Sequence, residues 1–204
     1  MNRNDSAGIF DGNSAYSGVL VDIESTPLEG VHVLHRQLKS DSRGFLERIY
    51  CQKTLSTVLM NRTIRQINHT LTKGEGTVRG LHFQFPPHAE MKIVSCLRGK
   101  IFDVVVDIRR NSPTFLMYYT RILSDNNLLS LVIPEGCAHG FQVLSPECEM
   151  VYFHTADYEP SSEGGLNALD GRLAIDWPRP VINRSERDTG HAMLYENFLG
   201  LDLQ

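Results

Sequence analysis

The sequence predicts an all-β fold, a sandwich or barrel of the jelly-roll kind with a few short flanking helices. From Gly18 onward the apolar residues fall in short alternating or continuous runs rather than at helical spacing. The runs are rich in β-branched and aromatic residues, and Gly, Pro, Asn and Asp separate them at short intervals. In chain order they are VLVDIE, VHVLHRQ, FLERIYC, IRQINHTL, GLHFQF, MKIVSCL, KIFDVVVDI, LMYYTRIL, LLSLVIP, GFQVLS and EMVYFHTA. Roughly a dozen strands follow from this pattern. Two stretches, KTLSTVLMNR and HAMLYENFLGL, have the composition of helices.

A chain of 204 residues is long enough for one domain with a full core. The expected organisation is a single domain over residues 16–204, preceded by a disordered tail over residues 1–15 whose Asn, Ser, Gly and Asp residues offer little to bury. The formal net charge of -4, with acidic and basic residues mixed along the chain, gives no footprint for nucleic-acid binding. No apolar run reaches the roughly 20 residues of a membrane span, and the N-terminus lacks the apolar core of a signal peptide. Cys51, Cys96, Cys137 and Cys148 are widely spaced and read as free thiols. A cytoplasmic protein with no membrane or nucleic-acid partner is expected.

Three stretches place polar groups on otherwise apolar strands: RQINH at 65–69, RGLHFQ at 79–84 and PEGCAH at 134–139. Inward-facing groups of this kind need partners or a ligand. As a metal site, His69, His82 and His139 can offer imidazoles, and their placement resembles the cupin pattern of two metal-ligating motifs. Gln84, however, stands where the second His of the first motif belongs, and Lys92 stands where its ligand Glu belongs. A cation at a ligand position opposes metal binding. Pro134, Gly136 and His139 keep the second motif's spacing. The expectation is therefore a cupin-type jelly roll with no metal and no cofactor.

A pocket holding His, Lys, Tyr and Arg suits proton transfer beside a ketone. A His takes a proton from the adjacent carbon, a Lys ammonium stabilises the enolate oxygen, and a Tyr hydroxyl returns a proton from the other face. Those roles describe an epimerase.

From SDSRGF through TVRGLHFQFPP, IFDVVVDIRRNSPTF, VIPEGCAHGFQVLS, EMVYFHTADYEPSSEGG and AIDWP to Asp188, the chain resembles the dTDP-4-dehydrorhamnose 3,5-epimerases. The resemblance implies His82 as general base, Asp188 as its paired carboxylate, Lys92 beside the sugar ketone and Tyr152 as proton donor. It implies a diphosphate contact at Arg79, a sugar and phosphate lining from Gln66, Asn68 and His69, and a further pocket contact at Gln84. His139 matches an inward-facing histidine with Asp103 as its orienting partner, and Arg43 and Tyr158 match positions around the nucleotide. The implied substrate is a nucleotide-linked 4-keto-6-deoxyhexose, made for a surface polysaccharide or a glycosylated metabolite. The implied assembly is a homodimer that shares N-terminal strands.

The chain departs from the family pattern in two places. Many relatives have Glu five residues after the first RG arginine, where this chain has Arg48 and carries Glu47 one place earlier. Many continue KTTDYY after the donor tyrosine, where this chain reads FHTADY, with Phe153, His154 and Asp157 among the changes. Three other readings compete: a ketose-type isomerase on the same scaffold, a non-catalytic sugar-nucleotide binding module, and a metal-dependent dioxygenase.

Overall fold

The computed structural model describes residues 21–203; the expected N-terminal tail lies outside them. The fold is a jelly roll of two facing antiparallel sheets. The first has six strands in the order β1 (Val21–Ser25), β2 (His32–Arg36), β10 (Leu129–Ile133), β7 (Lys92–Arg98), β12 (Glu147–His154), β5 (Gln66–Lys73). The second runs β13 (Glu163–Gly165), β6 (Val78–Gln84), β11 (Cys137–Val143), β8 (Lys100–Asp107), β9 (Tyr118–Ser124). A separate hairpin pairs β3 (Leu38–Asp41) with β4 (Gly44–Glu47).

Apolar layers explain why strands win over helices. Val33, Val94, Leu131 and Met150 of the first sheet meet Ile101, Val105, Leu123 and Phe141 of the second in the central core. Outside the first sheet, helix α1 (Ser56–Leu59) and the turn before it set Leu55, Val58 and Leu59 on Leu34, Ile93, Val132 and Phe153. The residues of β10 are consequently buried throughout, which is why LSLVI is apolar on both faces except at Ser130, whose hydroxyl pairs with Ser95 at 2.6 Å. Outside the second sheet, Leu166, Leu173 and Leu201 cover Leu81, Val104 and Val106.

Of the two expected helices, the first forms only over its centre. The second does not form: HAMLYENFLGL is irregular, and the short helix α2 (Glu186–Gly190) precedes it. The helix-like spacing of Leu194, Phe198 and Leu201 is real, and all three pack on the outer core. Their backbone is used otherwise. Leu201 donates to the Ile108 carbonyl and accepts from the Arg110 amide, and Gly200 sits at φ +83°, so tertiary pairing replaces the helical ladder.

β11 starts beside the end of β8, where Asp107 anchors the following loop. Its carboxylate accepts from the Arg109 backbone N–H (3.0 Å) and guanidinium (2.9 and 2.8 Å), Ser112 (2.5 Å) and Thr114 (2.6 Å). Burial pushes its pKa up, but these donors overcome that and hold it at about 2, against an ordinary 3.8. A depressed folded-state pKa adds stability that is full above the unfolded value and disappears as pH falls through the folded one. Urea unfolding between about pH 4 and pH 2 should therefore show falling stability, with a shallower fall in Asp107→Asn, which should also be less stable at neutral pH.

β6 and β11 approach closely at Gly140, where an added Cβ would lie 2.6 Å from the Arg79 carbonyl oxygen and 2.8 Å from Leu81. Gly140→Ala should lower the unfolding free energy by about 1–3 kcal/mol, read from the urea midpoint.

Candidate active site

β6 supplies the first wall of a cavity of about 200 Å3 between the sheets. Along it the pairing with β11 slips: His139 faces His82 and Phe141 faces Arg79, so β6 carries one extra residue. On a regular strand, residues three apart point to opposite faces. The bulge, with Gly80 at φ +111°, turns both Arg79 and His82 toward the cavity. Only glycine suits that position, since a Cβ there would also press within 2.6 Å of the His139 carbonyl oxygen.

Behind His82 lies Asp188, delivered by α2. Ser185 caps that helix by accepting from the Asp188 backbone N–H at 3.1 Å. One Asp188 oxygen meets His82 Nε2 at 2.7 Å, and the other accepts from the Gly80 backbone N–H at 3.1 Å. Burial raises the Asp188 pKa, but the hydrogen bond and charge of His82 and the other donors bring it down to about 2. The carboxylate is thus an acceptor only, which fixes the His82 proton on Nε2 and leaves Nδ1 basic. The Arg187 guanidinium stands 3.2 Å from His82 Nε2 and binds both oxygens of Glu163 at 2.8 Å.

The opposite wall comes from β7, β12 and β5. Lys92 and Tyr152 both line the cavity, and the Lys92 ammonium pairs with Glu90 at 3.0 Å, both side chains nearly buried. Burial raises the Tyr152 pKa well above its ordinary value, so its hydroxyl keeps its proton at neutral pH. His139 joins the two walls: it pairs with His82 in register and meets the Tyr152 ring edge-on at 6.3 Å. Its Nε2 lies 3.0 and 2.9 Å from the two oxygens of fully buried Asp103.

The cavity brings together Gln66, Asn68, Arg79, His82, Gln84, Lys92, His139, Tyr152 and Tyr158 from the residues expected by sequence, with Asp188 and Asp103 directly behind their histidines. Two expected residues lie elsewhere. His69 points to the other face of β5 and pairs with Glu149 at 3.2 Å, because strand alternation gives Gln66, Asn68 and Thr70 to the cavity and residue 69 to the outside. Arg43 sits at the β3–β4 turn, highly exposed and paired with Asp41. Gln84 lines the cavity, but its amide is committed to structure: it donates to the His88 carbonyl (2.9 Å) and accepts from the Glu159 amide (2.8 Å), holding the segment that carries Tyr158. Glu90, His154, Glu163 and Arg187 line the cavity and were not expected. Strand alternation with Tyr152 is the signal available for His154; Glu90 precedes β7 and carries no such signal.

Among the described residues, His82, Asp188 and His191 form a group whose ligating atoms lie within 4.8 Å of one another. The neighbouring Arg187 cation makes it a poor cation site. No helix among the described residues is long and apolar enough to cross a membrane.

Residues 25–196 match the family described as dTDP-4-dehydrorhamnose 3,5-epimerase. The enzyme of that name from Salmonella typhimurium is 42% identical over 154 residues, covering 75% of this chain and 84% of the relative. A dTDP-4-dehydrorhamnose 3-epimerase from Streptomyces niveus is 35% identical, covering 83% and 82%. In structure, the chain is similar to the dTDP-6-deoxy-D-glucose-3,5-epimerase of Legionella pneumophila, solved in complex with dTDP-4-keto-L-rhamnose. The TM-score is 0.81 at 35% identity, covering 85% of this chain and 92% of that one. Fold, spacing and extent of likeness agree, and the chain belongs to the dTDP-4-dehydrorhamnose 3,5-epimerase family of isomerases.

Proposed function

We propose that this protein epimerises C3, C5 or both in a dTDP-linked 4-keto-6-deoxyhexose, working on the pathway to a surface polysaccharide or glycosylated metabolite. The observation that carries the reading is the opposition of the His82–Asp188 pair on one wall to Lys92 and Tyr152 on the other, across one cavity. His82 removes the proton beside the ketone, and Asp188 stabilises the imidazolium that results. The Lys92 ammonium stabilises the enolate oxygen, and Tyr152, held protonated, donates from the far side. Arg79 binds the diphosphate, with Asn68 along the sugar and Tyr158 at the nucleotide end. Gln66 positions Tyr158 by accepting its backbone N–H at 3.0 Å. Residues 16–204 act as one domain, and a cytoplasmic location suits a nucleotide-linked substrate.

The assembly we propose is a homodimer, and two features of the surface support it. The β3–β4 hairpin stands apart from both main sheets, with Phe45 70% and Leu46 54% exposed. Its base is tied down by Glu47 on buried Arg36 at 2.5 Å, and its exposed tip can reach a partner. Strand β5 lies at the edge of its sheet among the described residues and exposes Ile67 and Leu71 there. In such a dimer the partner's cavity receives this hairpin and with it Arg43.

His82→Ala should reduce turnover of dTDP-4-keto-6-deoxyglucose on the order of 100-fold to 10,000-fold with nucleotide-sugar affinity little changed. Arg79→Ala should weaken that affinity about tenfold or more. Equal effects of the two changes on affinity and turnover would contradict the roles. Light scattering should give twice the chain mass for the unaltered protein and a shift toward monomer for Phe45→Glu; a dilute monomer without the change would contradict the dimer.

A further inference from the structure

His154 replaces a different residue in the pattern that the family resemblance suggested, and its side chain lines the sugar cavity rather than the outer surface. It lies two residues beyond Tyr152 on β12, and strand alternation puts both rings on the same face, stacked at 17° with centroids 6.1 Å apart. The register sets His154 directly opposite Lys92 on β7 and Gln66 on β5.

Glu90 determines what this ring can offer. One carboxylate oxygen holds the Lys92 ammonium at 3.0 Å and the other meets His154 Nδ1 at 2.7 Å, with all three side chains nearly buried. Burial pushes the Glu90 pKa up, but Lys92 and His154 outweigh it and bring the carboxyl to about 2. An ionised carboxylate accepts and cannot donate, so Nδ1 carries the ring proton. In the neutral imidazole Nε2 is then an acceptor, and it faces the Asn68 amide nitrogen at a long 3.4 Å. That bond is long enough to be weak, and on the cavity wall a hydroxyl can displace it. The hydroxyl donates to Nε2 and accepts from the Asn68 amide.

We propose that His154, oriented by Glu90 and acting with Asn68, is a specificity-determining residue that recognises a ring hydroxyl, at C2 or C3, of the sugar. The inference rests on the sugar-nucleotide reading of the cavity. It adds a hydroxyl-selective contact on the Tyr152 side, distinct from the proton-transfer groups.

The test uses the full chain and calorimetric binding of dTDP-6-deoxyglucose and its 2-deoxy and 3-deoxy counterparts. None of these has the ketone, so affinity is read without turnover. The unaltered protein should bind the parent about tenfold more tightly than one of the two deoxy ligands, the value of one well-made hydrogen bond. His154→Phe keeps a ring against Tyr152 but removes Nε2, and should bring that ratio within about twofold of unity. His154→Gln, whose amide reaches the Nε2 position, should restore part of the preference. Equal affinity of the unaltered protein for all three ligands, or a preference that survives in His154→Phe, would overturn the proposal. Turnover of dTDP-4-keto-6-deoxyglucose, measured alongside, separates the two readings. Turnover without hydroxyl preference leaves the epimerase standing and removes this role, whereas the preference without turnover does the reverse.

Discussion

The hydrogen bond between His82 and Asp188 spans 106 positions of sequence, and much of the architecture serves to close it. An ionised carboxylate that is 2% exposed is tolerated only with compensation, because burying it unpaired costs several kcal/mol. His82, the Gly80 amide and the Ser185-capped turn supply that compensation. The segment that carries Asp188 is held in turn by apolar contacts. Leu166 and Leu173 before it, and Leu194 and Leu201 after it, lie on the outer face of the second sheet. The C-terminal region is irregular in backbone and well ordered in purpose: it fastens a carboxylate behind a histidine.

The same device recurs around the cavity. His139 is backed by Asp103, and His154 by Glu90, so three histidines from β6, β11 and β12 each meet a carboxylate within about 3 Å. Asp188 and Glu90, held ionised, accept only, and each thereby sets which nitrogen of its histidine keeps the proton. The result is a small space with assigned donors and acceptors on both walls, held by strands rather than loops. Rigid placement of this kind limits reorganisation as charge develops on a substrate. Lys92 differs from the others because its positive charge is shared with Glu90, which ties it to His154.

Much of this was legible in the sequence. The alternating runs predicted the sheets, and RGLHFQ and PEGCAH stood out as polar stretches on apolar strands; the pairing of β6 with β11 sets His82 opposite His139. The helix expected at HAMLYENFLGL did not form because apolar spacing reports which residues are buried, not how their backbone is bonded. The outward turn of His69 was implicit in the alternation of β5 with Asn68. The bulge at Gly80 was not legible: period-2 counting puts Arg79 and His82 on opposite faces, and only the pairing with β11 reveals the extra residue. Glu90 was missed for a related reason, since a carboxylate outside the recognised motifs gives no sign of its partners until Lys92 and His154 are seen around it.

In the proposed function the cavity removes a proton beside a sugar ketone and returns one. Solvent isotope exchange tests this most directly: the protein is incubated in D2O with dTDP-4-keto-6-deoxyglucose, and C3 and C5 are followed by NMR. Deuterium should appear at one or both carbons with the unaltered protein and not above background with His82→Ala. Absence of exchange at both carbons with the unaltered protein would contradict it.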